Sequence, residues 1–493
     1  MTATAARRAG WPDAACVALL AGWAVALALG VGRHRFDYDE LEQIYAIWRI
    51  KTGARPFYDF FEVHPPLLWY PLALLLRPFA HLSSPAFGYR VVTLAGHLAS
   101  LLALGRNVAL SFERLPSPRP LRARSFALGV LLFAGASVVM GYLVEFRLDA
   151  WPNALLFFAI LRHRRATPSF RASFELALLA LLAIVCSPKL IALFGLYALV
   201  DLARGDQRGP RLGGLAAGAA ASLLLAALAL AAARLDPRLV YRLVIAYHQR
   251  LNAAGGFGHQ LARAVAEQPA LLALMASSLI GWFLVMGRRC ATQTFELAVA
   301  LFLAFQLAFV SFGYRQYFAP WFLFGVVFFP YLELALQRTP VIHRAFLVVV
   351  LMGGVVNVVQ SVRGFQADDG VTKRLAFDAW AALRVPPDAT VAGAVSRLPL
   401  YRRSALSVVV YSIAPSGIST ADLLNDVGLP GLAAQATGEA SARELEAAQP
   451  MLVIEGGILS PTQTAALARY RARHRDAYQR VDSPTGPVYL RTR

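Results

Sequence analysis

The residues with the clearest potential for chemistry lie near the start of the chain, where four carboxylates fall within six positions. They are Asp37, Asp39, Glu40 and Glu42. An amphipathic helical pattern follows them, and one acid is enough to cap the N-terminus of such a helix. A run of four exceeds what capping requires. Because carboxylates accept protons and hold hard cations, we treat this cluster as a candidate site.

The same stretch continues with aromatic residues that alternate with charged ones. Tyr58, Glu62 and His64 precede the pair Pro65-Pro66. Aromatic faces suit sugar rings, but Tyr and Trp are also common anchors at a membrane surface. The two interpretations stay open, and we keep these three residues as candidate substrate-binding groups.

Three further polar groups stand at the ends of apolar segments. Asp149 opens one segment, Lys189 lies between two others, and Arg315 and Tyr317 open a late one. Asp149 could serve only as a helix cap, and Lys189 could extend towards lipid headgroups. A cation in either later position could instead bind a phosphate.

The elements that must position these groups are membrane-spanning helices. Hydrophobic residues make up 57% of the 493 residues and charged residues only 16%, which excludes disorder and disfavours one soluble globule. Eleven apolar segments approach or reach the length of a span. They are 13–31, 87–105, 125–141, 150–161, 172–186, 190–203, 213–233, 269–286, 294–312, 317–336 and 343–360.

Arginine-rich loops set the orientation. The loops around 106–124, 162–171 and 204–211 are basic, which predicts that they and the N-terminus are cytoplasmic. The candidate residues then share the opposite, extracytoplasmic face. An odd number of membrane crossings must separate this outer loop from the cytoplasmic loop 106–124. The proline-broken stretch 65–80 is therefore not expected to cross, and we predict interfacial or re-entrant helices within the first outer loop, 32–86.

The composition changes near residue 361. Residues 1–360 form the predicted transmembrane domain, and 361–493 form a predicted soluble extracytoplasmic domain. Helical patterns and short β-type runs alternate there, with runs at 389–395, 407–412, 451–454 and 487–491. The predicted fold is therefore a polytopic α-helical membrane protein of about eleven spans with a small C-terminal α/β domain. Asp368-Asp369 and Glu444–Glu446 are expected to be solvated surface.

The polar residues resemble a known family. The pair Asp39-Glu40, followed by Gly53, Tyr58 and His64-Pro65-Pro66, is similar to the first outer loop of GT-C superfamily glycosyltransferases. The likeness is to the branch of protein mannosyltransferases and aminoarabinose transferases. Further matches cover most of residues 10–340. They are Asp149, Lys189, and the pair Tyr317 and Pro320. His64 departs from the branch, which tends to carry Lys there.

This resemblance implies transfer of a sugar from a polyprenyl-phosphate donor to an acceptor hydroxyl at the extracytoplasmic face, with inversion. Asp39 would be the general base, and Glu40 and Asp149 would complete the catalytic acids. Asp37 competes for the role of base. Lys189, Arg315 and His64 would bind the leaving phosphate, and Tyr58, Glu62 and Tyr317 the substrate.

Metal use varies within the family. A divalent cation such as Mg²⁺, Mn²⁺ or Zn²⁺ would be held by Glu40 and Asp149. Expected partners are the lipid donor, a glycolipid, polysaccharide or protein acceptor, and the bilayer. The Ala-, Arg- and Leu-rich composition suggests a GC-rich bacterium, and the expected location is its cytoplasmic (inner) membrane.

Three other classes compete: a transporter or flippase, a non-catalytic scaffold or sensor that binds partners through its C-terminal domain, and a nucleic-acid-binding protein. A polytopic transporter or lipid flippase would place charges at mid-membrane and show paired repeats with broken helices, whereas the charges here are terminal and one-sided. The net charge of +19 is also compatible with a nucleic-acid-binding protein. The arginines lie between apolar spans and form no aromatic-interleaved surface, so we exclude that class.

Overall fold

The fold was analysed in a computed structural model of the chain. It describes residues 11–75, 85–114, 123–204, 208–253, 259–309, 315–394, 398–399, 402–406, 419–455 and 459–492.

Each of the eleven apolar segments contains helix. The bounds are α1 Trp11–Arg33, α4 Pro85–Glu113, α5 Ala123–Gly129 continuing through a π-turn to α6 Ser137–Val144, α7 Ala150–Arg165, α8 Phe170–Cys186, α9 Leu190–Arg204, α10 Arg208–Ala232, α14 Pro269–Met286, α15 Thr294–Phe309, α16 Arg315–Leu336 and α17 Pro340–Ala367. Within the described ranges, six helices are long and apolar enough to span a membrane, or seven if α5 and α6 form one span. The described residues are therefore mostly helical, with several helices of membrane-spanning length, and the count of eleven spans stays a prediction.

Ion pairs connect the helix ends in two separate groups, one at each end of α1. Arg124 pairs with Asp13 and Glu333 at 3.3 and 3.1 Å, which joins the starts of α1 and α5 to the end of α16. At the other end of α1, the Arg90 guanidinium donates to the Glu40 carboxylate at 2.6 Å. Successive helix ends that lie in one group and then in the other agree with the predicted alternation of loops. Which group faces the cytoplasm remains a prediction.

One expected straight span is sharply bent. The stretch predicted as 125–141 breaks by 89° between α5 and α6. A side chain at Gly135 would collide with the Leu131 carbonyl, which explains glycine at this turn. Asn357 of α17 donates to the carbonyls of Leu131 and Leu132 at 3.2 and 3.1 Å. These bonds satisfy backbone groups that the break would otherwise leave unpaired in an apolar interior.

The core surrounds α16, where large aromatic side chains are fully buried. They are Trp321, Phe322, Phe328 and Tyr331. Pro330 lies inside this helix, and neighbouring helices enclose it on several sides.

The first outer loop is helical, as expected. It contains α2 Tyr38–Lys51, a 3₁₀ turn at Pro66–Leu68 and α3 Trp69–Leu75. Trp69 Nε1 donates to Gln43 Oε1 at 2.5 Å in a buried bond that fixes α3 against α2. The described part of the 65–80 stretch is thus a short helix, and 76–80 lie outside the described residues.

Between α10 and α14 lie α11 Pro237–Val240, a π-turn at Tyr241–Ala246, α12 Tyr247–Ala253 and α13 His259–Glu267. The buried Leu243 and Tyr247 share an apolar cluster with Phe57 of the first loop and with Leu423 and Leu424 further along the chain. This segment therefore lies on the same side of the molecule as α2.

The C-terminal part carries a five-stranded mixed sheet in the order β2-β1-β3-β5-β4. Its elements are α18 Gly370–Arg384, β1 Thr390–Ala392, β2 Arg403–Ser404, α19 Thr420–Asp426, α20 Pro430–Gln435, α21 Gly438–Ala448, β3 Leu452–Val453, α22 Pro461–Arg473, β4 Tyr478–Ser483 and β5 Gly486–Arg491. β1 runs parallel to β2 and β3, and the remaining pairs are antiparallel. The run predicted at 407–412 lies outside the described residues.

Candidate functional site

The four acids of the first loop take different structural positions. Asp37 is the N-cap of α2: its side chain accepts the backbone N–H of Asp39, and the Glu40 side chain accepts the N–H of Asp37. This reciprocal capping starts the helix where the apolar pattern begins. The Asp39 and Glu40 side chains consequently project from its first turn.

Glu40 is fully buried and structural in its contacts. Arg90 of α4 donates to both its carboxylate oxygens, at 2.6 and 2.7 Å. The backbone N–H of Phe146 adds a third bond at 3.0 Å. Arg90 also donates to the carbonyl oxygens of Val31 and His34. The pair therefore joins α1, α2, α4 and the loop after α6 at one point.

Arg147 bridges the acids of two loops. Its guanidinium donates to Asp39 at 2.8 Å, to Asp37 at 2.9 Å and to Glu145 at 2.6 Å. Burial raises the pKa of Asp37 to about 6, although Arg147 opposes the shift. Burial works against ionisation of Glu145 as well, but Arg147 and His34 dominate and lower its pKa to about 2. One cation thus serves three carboxylates.

Asp149, two residues after Arg147, forms a separate ion pair. Its carboxylate accepts Lys189 Nζ at 2.5 Å and the Ser187 hydroxyl at 3.1 Å. Burial alone would raise the pKa of Asp149, but Lys189 reverses the direction and lowers it. The Lys189 side chain is half exposed, at 51%, so its ammonium can also meet an anion from solvent.

Three further ionisable side chains form a cluster near these ion pairs. The ligand atoms of Glu42, Glu62 and His64 lie within 4.8 Å of one another. Burial and the neighbouring Glu62 raise the pKa of Glu42 well above its usual value. Burial opposes protonation of His64, but Glu62, whose oxygen lies 2.6 Å from Nδ1, raises its pKa. Two buried carboxylates and an imidazole form a donor set that fits a divalent cation.

These contacts favour Glu42, Glu62 and His64 over Glu40 and Asp149 as the candidate metal ligands. Glu40, predicted as a ligand, gives its oxygens to Arg90, and Asp149 gives its oxygens to Lys189 and Ser187. Neither belongs to the group of three ligands within the described residues. The reason is that each already has a cation or donor from a neighbouring helix.

Other predicted residues lie apart from the ion pairs or beyond description. Tyr58 is 46% exposed, and its hydroxyl accepts the backbone N–H of Asp236 at 3.3 Å. Arg315 begins α16, with Tyr317 in its first turn. The side chains of Arg315 and Tyr317 lie outside the described residues.

Four residues of the site were missed as functional candidates. Arg90 and Arg147 supply its cations, and His248 of α12 faces His64 with ring centroids 6.2 Å apart. Burial, followed by His64, lowers the pKa of His248 to about 4. The fourth, Glu42, belonged to the acidic run but received no role. A lone arginine two residues before Asp149 was the available signal for Arg147.

Asp368 was wrongly expected to be solvated surface. Its carboxylate accepts the backbone N–H of Arg35 at 2.8 Å and lies 3.6 Å from His34 Nδ1. His34 Nε2 in turn lies 3.2 Å from Glu145. The end of α17 is therefore connected through His34 and Glu145 to the bridging arginine.

A cavity of about 760 Å³ opens beside the same segment that carries His248. Arg238, Arg242 and Arg250 line it, together with Asp426. Its lining carries more positive than negative charge.

The fold has known counterparts. Two crystal structures of ArnT from Cupriavidus metallidurans are similar to this chain, each with a TM-score of 0.55. One is bound to undecaprenyl phosphate: it is 15% identical and covers 98% of both chains. The other is in the apo state, at 14% identity, with coverage of 98% of this chain and 97% of that one. No protein-family model and no curated protein sequence matches.

The likeness extends over nearly the whole chain, so it includes the membrane helices and the C-terminal part. The resemblance expected from the first loop is confirmed at the level of the fold, because both structural counterparts are ArnT. At this level of identity the likeness concerns the fold.

Proposed function

We propose that the chain is an integral-membrane glycosyltransferase of the bacterial inner membrane. It moves a sugar from a polyprenyl-phosphate donor to an acceptor hydroxyl at the extracytoplasmic face, with inversion. The observation that carries this proposal is the presence of two salt bridges, Asp39–Arg147 and Asp149–Lys189, whose Arg147 and Asp149 are two residues apart, in a fold similar to that of a protein crystallised with undecaprenyl phosphate.

In the proposed reaction Asp39 accepts the proton of the acceptor hydroxyl. The hydroxyl oxygen then attacks the anomeric carbon, and the bond from that carbon to the phosphate oxygen breaks. The polyprenyl phosphate leaves with the electron pair, and Lys189 stabilises its charge. General-base assistance of this kind contributes typically ~10²–10⁴-fold to a rate.

Asp37 is the second candidate for the base. Its pKa of about 6 suits proton transfer near neutral pH, where catalysis by a general base is most effective. Its carboxylate, however, also caps α2. We assign Asp39 the chemical role and Asp37 a positioning role.

A divalent cation would be held by Glu42, Glu62 and His64, and it would supply charge stabilisation to the donor phosphate. These residues are fixed without it by the His64–Glu62 bond and by the burial of both carboxylates. The arginine-lined cavity beside His248 is the proposed approach for the polar part of the acceptor.

The test uses a host lacking the gene, complemented with wild type, Asp39→Asn or the control Asp59→Asn. Asp59 lies in the same loop, is exposed and pairs with Arg55, so its loss should leave transfer intact. Envelope glycolipids, polysaccharides, glycoproteins and polyprenyl-phosphate sugars are compared by mass spectrometry.

Asp39→Asn should express normally, lose one glycosylated product and accumulate the lipid donor. Normal product in Asp39→Asn would remove Asp39 as the base. Identical profiles for the wild-type and empty hosts would remove the transferase proposal and favour a transporter or flippase.

A further inference from the structure

A groove lies at the opposite end of α7 from Asp149, between the C-terminus of α7 and the start of α8. It encloses about 770 Å³. We call it the α7–α8 groove and define it by the lining residues that matter here: Phe158, Leu161, Arg165, Ser169, Arg171 and Leu179. Its position makes it independent of the candidate catalytic residues.

The rim of the α7–α8 groove is strongly basic. Arg162, Arg165 and Arg171 line it together with one carboxylate, Glu175. Glu175 accepts Arg162 at 2.7 Å and Arg171 at 3.1 Å, so a single negative charge is shared by two guanidinium groups. Arg165 makes no ion pair with any residue of the described ranges. Two positive charges are left uncompensated at the rim.

The floor of the groove is apolar. Leu161 is buried, Leu179 is partly buried and Phe158 is 40% exposed. Phe158 precedes Arg165 by seven residues, which places them ~10 Å apart along a helix that rises about 1.5 Å per residue. An arginine rim one and a half to two turns above exposed apolar side chains matches the step from lipid headgroup to acyl chain.

The local sequence keeps this shape open. α7 ends at Arg165, and Ser169 caps α8 by accepting the backbone N–H of Ala172 at 3.2 Å. The turn between the helices is therefore short and includes the hydroxyls of Thr167 and Ser169 at the rim. These hydroxyls are further donors for a phosphate oxygen.

We propose that the α7–α8 groove binds one anionic phospholipid, with its phosphate at Arg165 and Arg171 and an acyl chain over Phe158 and Leu179. Charge complementarity selects the ligand, because a zwitterionic lipid would leave the two excess positive charges unbalanced. The apolar floor favours a lipid over a soluble anion.

The test is native mass spectrometry of the full-length chain, purified in detergent and titrated with phosphatidylglycerol or phosphatidylcholine. Wild type should retain one phosphatidylglycerol molecule at concentrations that leave phosphatidylcholine unbound. The variant Arg165→Ala/Arg171→Ala should bind it roughly 30-fold more weakly, from about fivefold per arginine at an anionic lipid surface. The control Arg344→Ala removes an exposed arginine at the start of α17 and should bind as wild type does.

Equal retention of the two lipids, or wild-type affinity in the double variant, would overturn the proposal. Saturable binding of inorganic phosphate that needs the same two arginines would assign the groove to a free anion instead. Arg165→Gln is the second variant if the double one misfolds, since Arg165 makes no ion pair with a described residue. A thermal unfolding curve like that of wild type confirms that each variant is folded.

Discussion

Nη1 of Arg147 lies 2.8 Å from Oδ2 of Asp39, although 108 positions separate the two residues in the chain. The same guanidinium reaches Asp37 through its other terminal nitrogen. A planar fork with fixed donor directions can hold two carboxylates at a set separation, which a single ammonium cannot do. The proposed base is therefore oriented by a residue from the loop between α6 and α7.

Arg147→Lys should reduce turnover by about 100-fold, the cost of a misplacement near 1 Å. The variant should still fold, because lysine keeps the positive charge among the three carboxylates. The measurement is conversion of the polyprenyl-phosphate sugar pool in membranes, with Arg55→Lys, a half-exposed arginine of the same first loop, as control. Equal activity of Arg147→Lys and wild type would show that charge alone suffices there.

Transfer should decline as the pH falls below about 6. Burial raises the pKa of Asp37 from 3.8 to about 6, so its ion pair with Arg147 forms only above that pH. The rate measured from pH 5 to 8 should show this limb in wild type and lose it in Asp37→Asn. A limb that persists in Asp37→Asn belongs to another group.

The same shift acts on stability in the opposite sense. Between pH 3.8 and about 6 the native state binds more protons at Asp37 than the unfolded state does. The contribution of this group to the free energy of unfolding therefore falls as the pH rises through that window. Asp37→Asn, whose amide oxygen can still cap α2, should flatten that part of the stability profile in thermal unfolding experiments.

The purified protein should bind one divalent cation. Glu62→Gln/His64→Asn should abolish that binding, whereas Asp59→Asn should retain it, as measured by calorimetry with Zn²⁺ and Mn²⁺. Without metal, Glu42→Gln should raise the unfolding temperature at alkaline pH, because burial and the neighbouring Glu62 make ionisation of Glu42 costly in the folded protein. Absence of binding in wild type, or its survival in the double variant, would contradict the assignment.

Arg90→Gln should destabilise the protein by about 3–5 kcal/mol, the usual cost of leaving one buried charge without its partner. Both side chains of the Arg90–Glu40 pair are fully buried. Thermal unfolding in detergent measures the loss, and Asp39→Asn serves as the comparison because its carboxylate is partly exposed. A normal unfolding temperature for Arg90→Gln would contradict the stabilising role of the Arg90–Glu40 pair.

The sequence was sufficient to predict that Asp39, Asp149 and Lys189 share one side of the helices, since the arginine-rich loops alternate with the loops that carry these residues. It was not sufficient to pair them. Asp39 meets Arg147, and Glu40 meets Arg90 at a separation of 50 residues. Such pairings depend on which helices pack together, and hydropathy contains no information about neighbours.

The 89° break between α5 and α6 was missed for a related reason. The residues on either side of Gly135 are uniformly apolar, so the segment has the composition of a continuous span. The bend is stabilised by donors from Asn357 and Ser361, which come from a helix more than two hundred residues later. Asp368 was misjudged in the same way, because its partner His34 lies at the other end of the transmembrane region.

Helix α2 contacts both the transmembrane helices and the C-terminal sheet. Its first turn holds Asp39 and Glu40, and further along it the hydroxyl of Tyr45 accepts the backbone N–H of Ser404 on strand β2 at 3.2 Å. Tyr45 also packs against the apolar cluster that includes Ala405 and Leu406. Replacing the C-terminal sheet with that of a relative would therefore change the tilt of α2, which carries the reactive acids. In any chimera the two halves of the chain must be exchanged together.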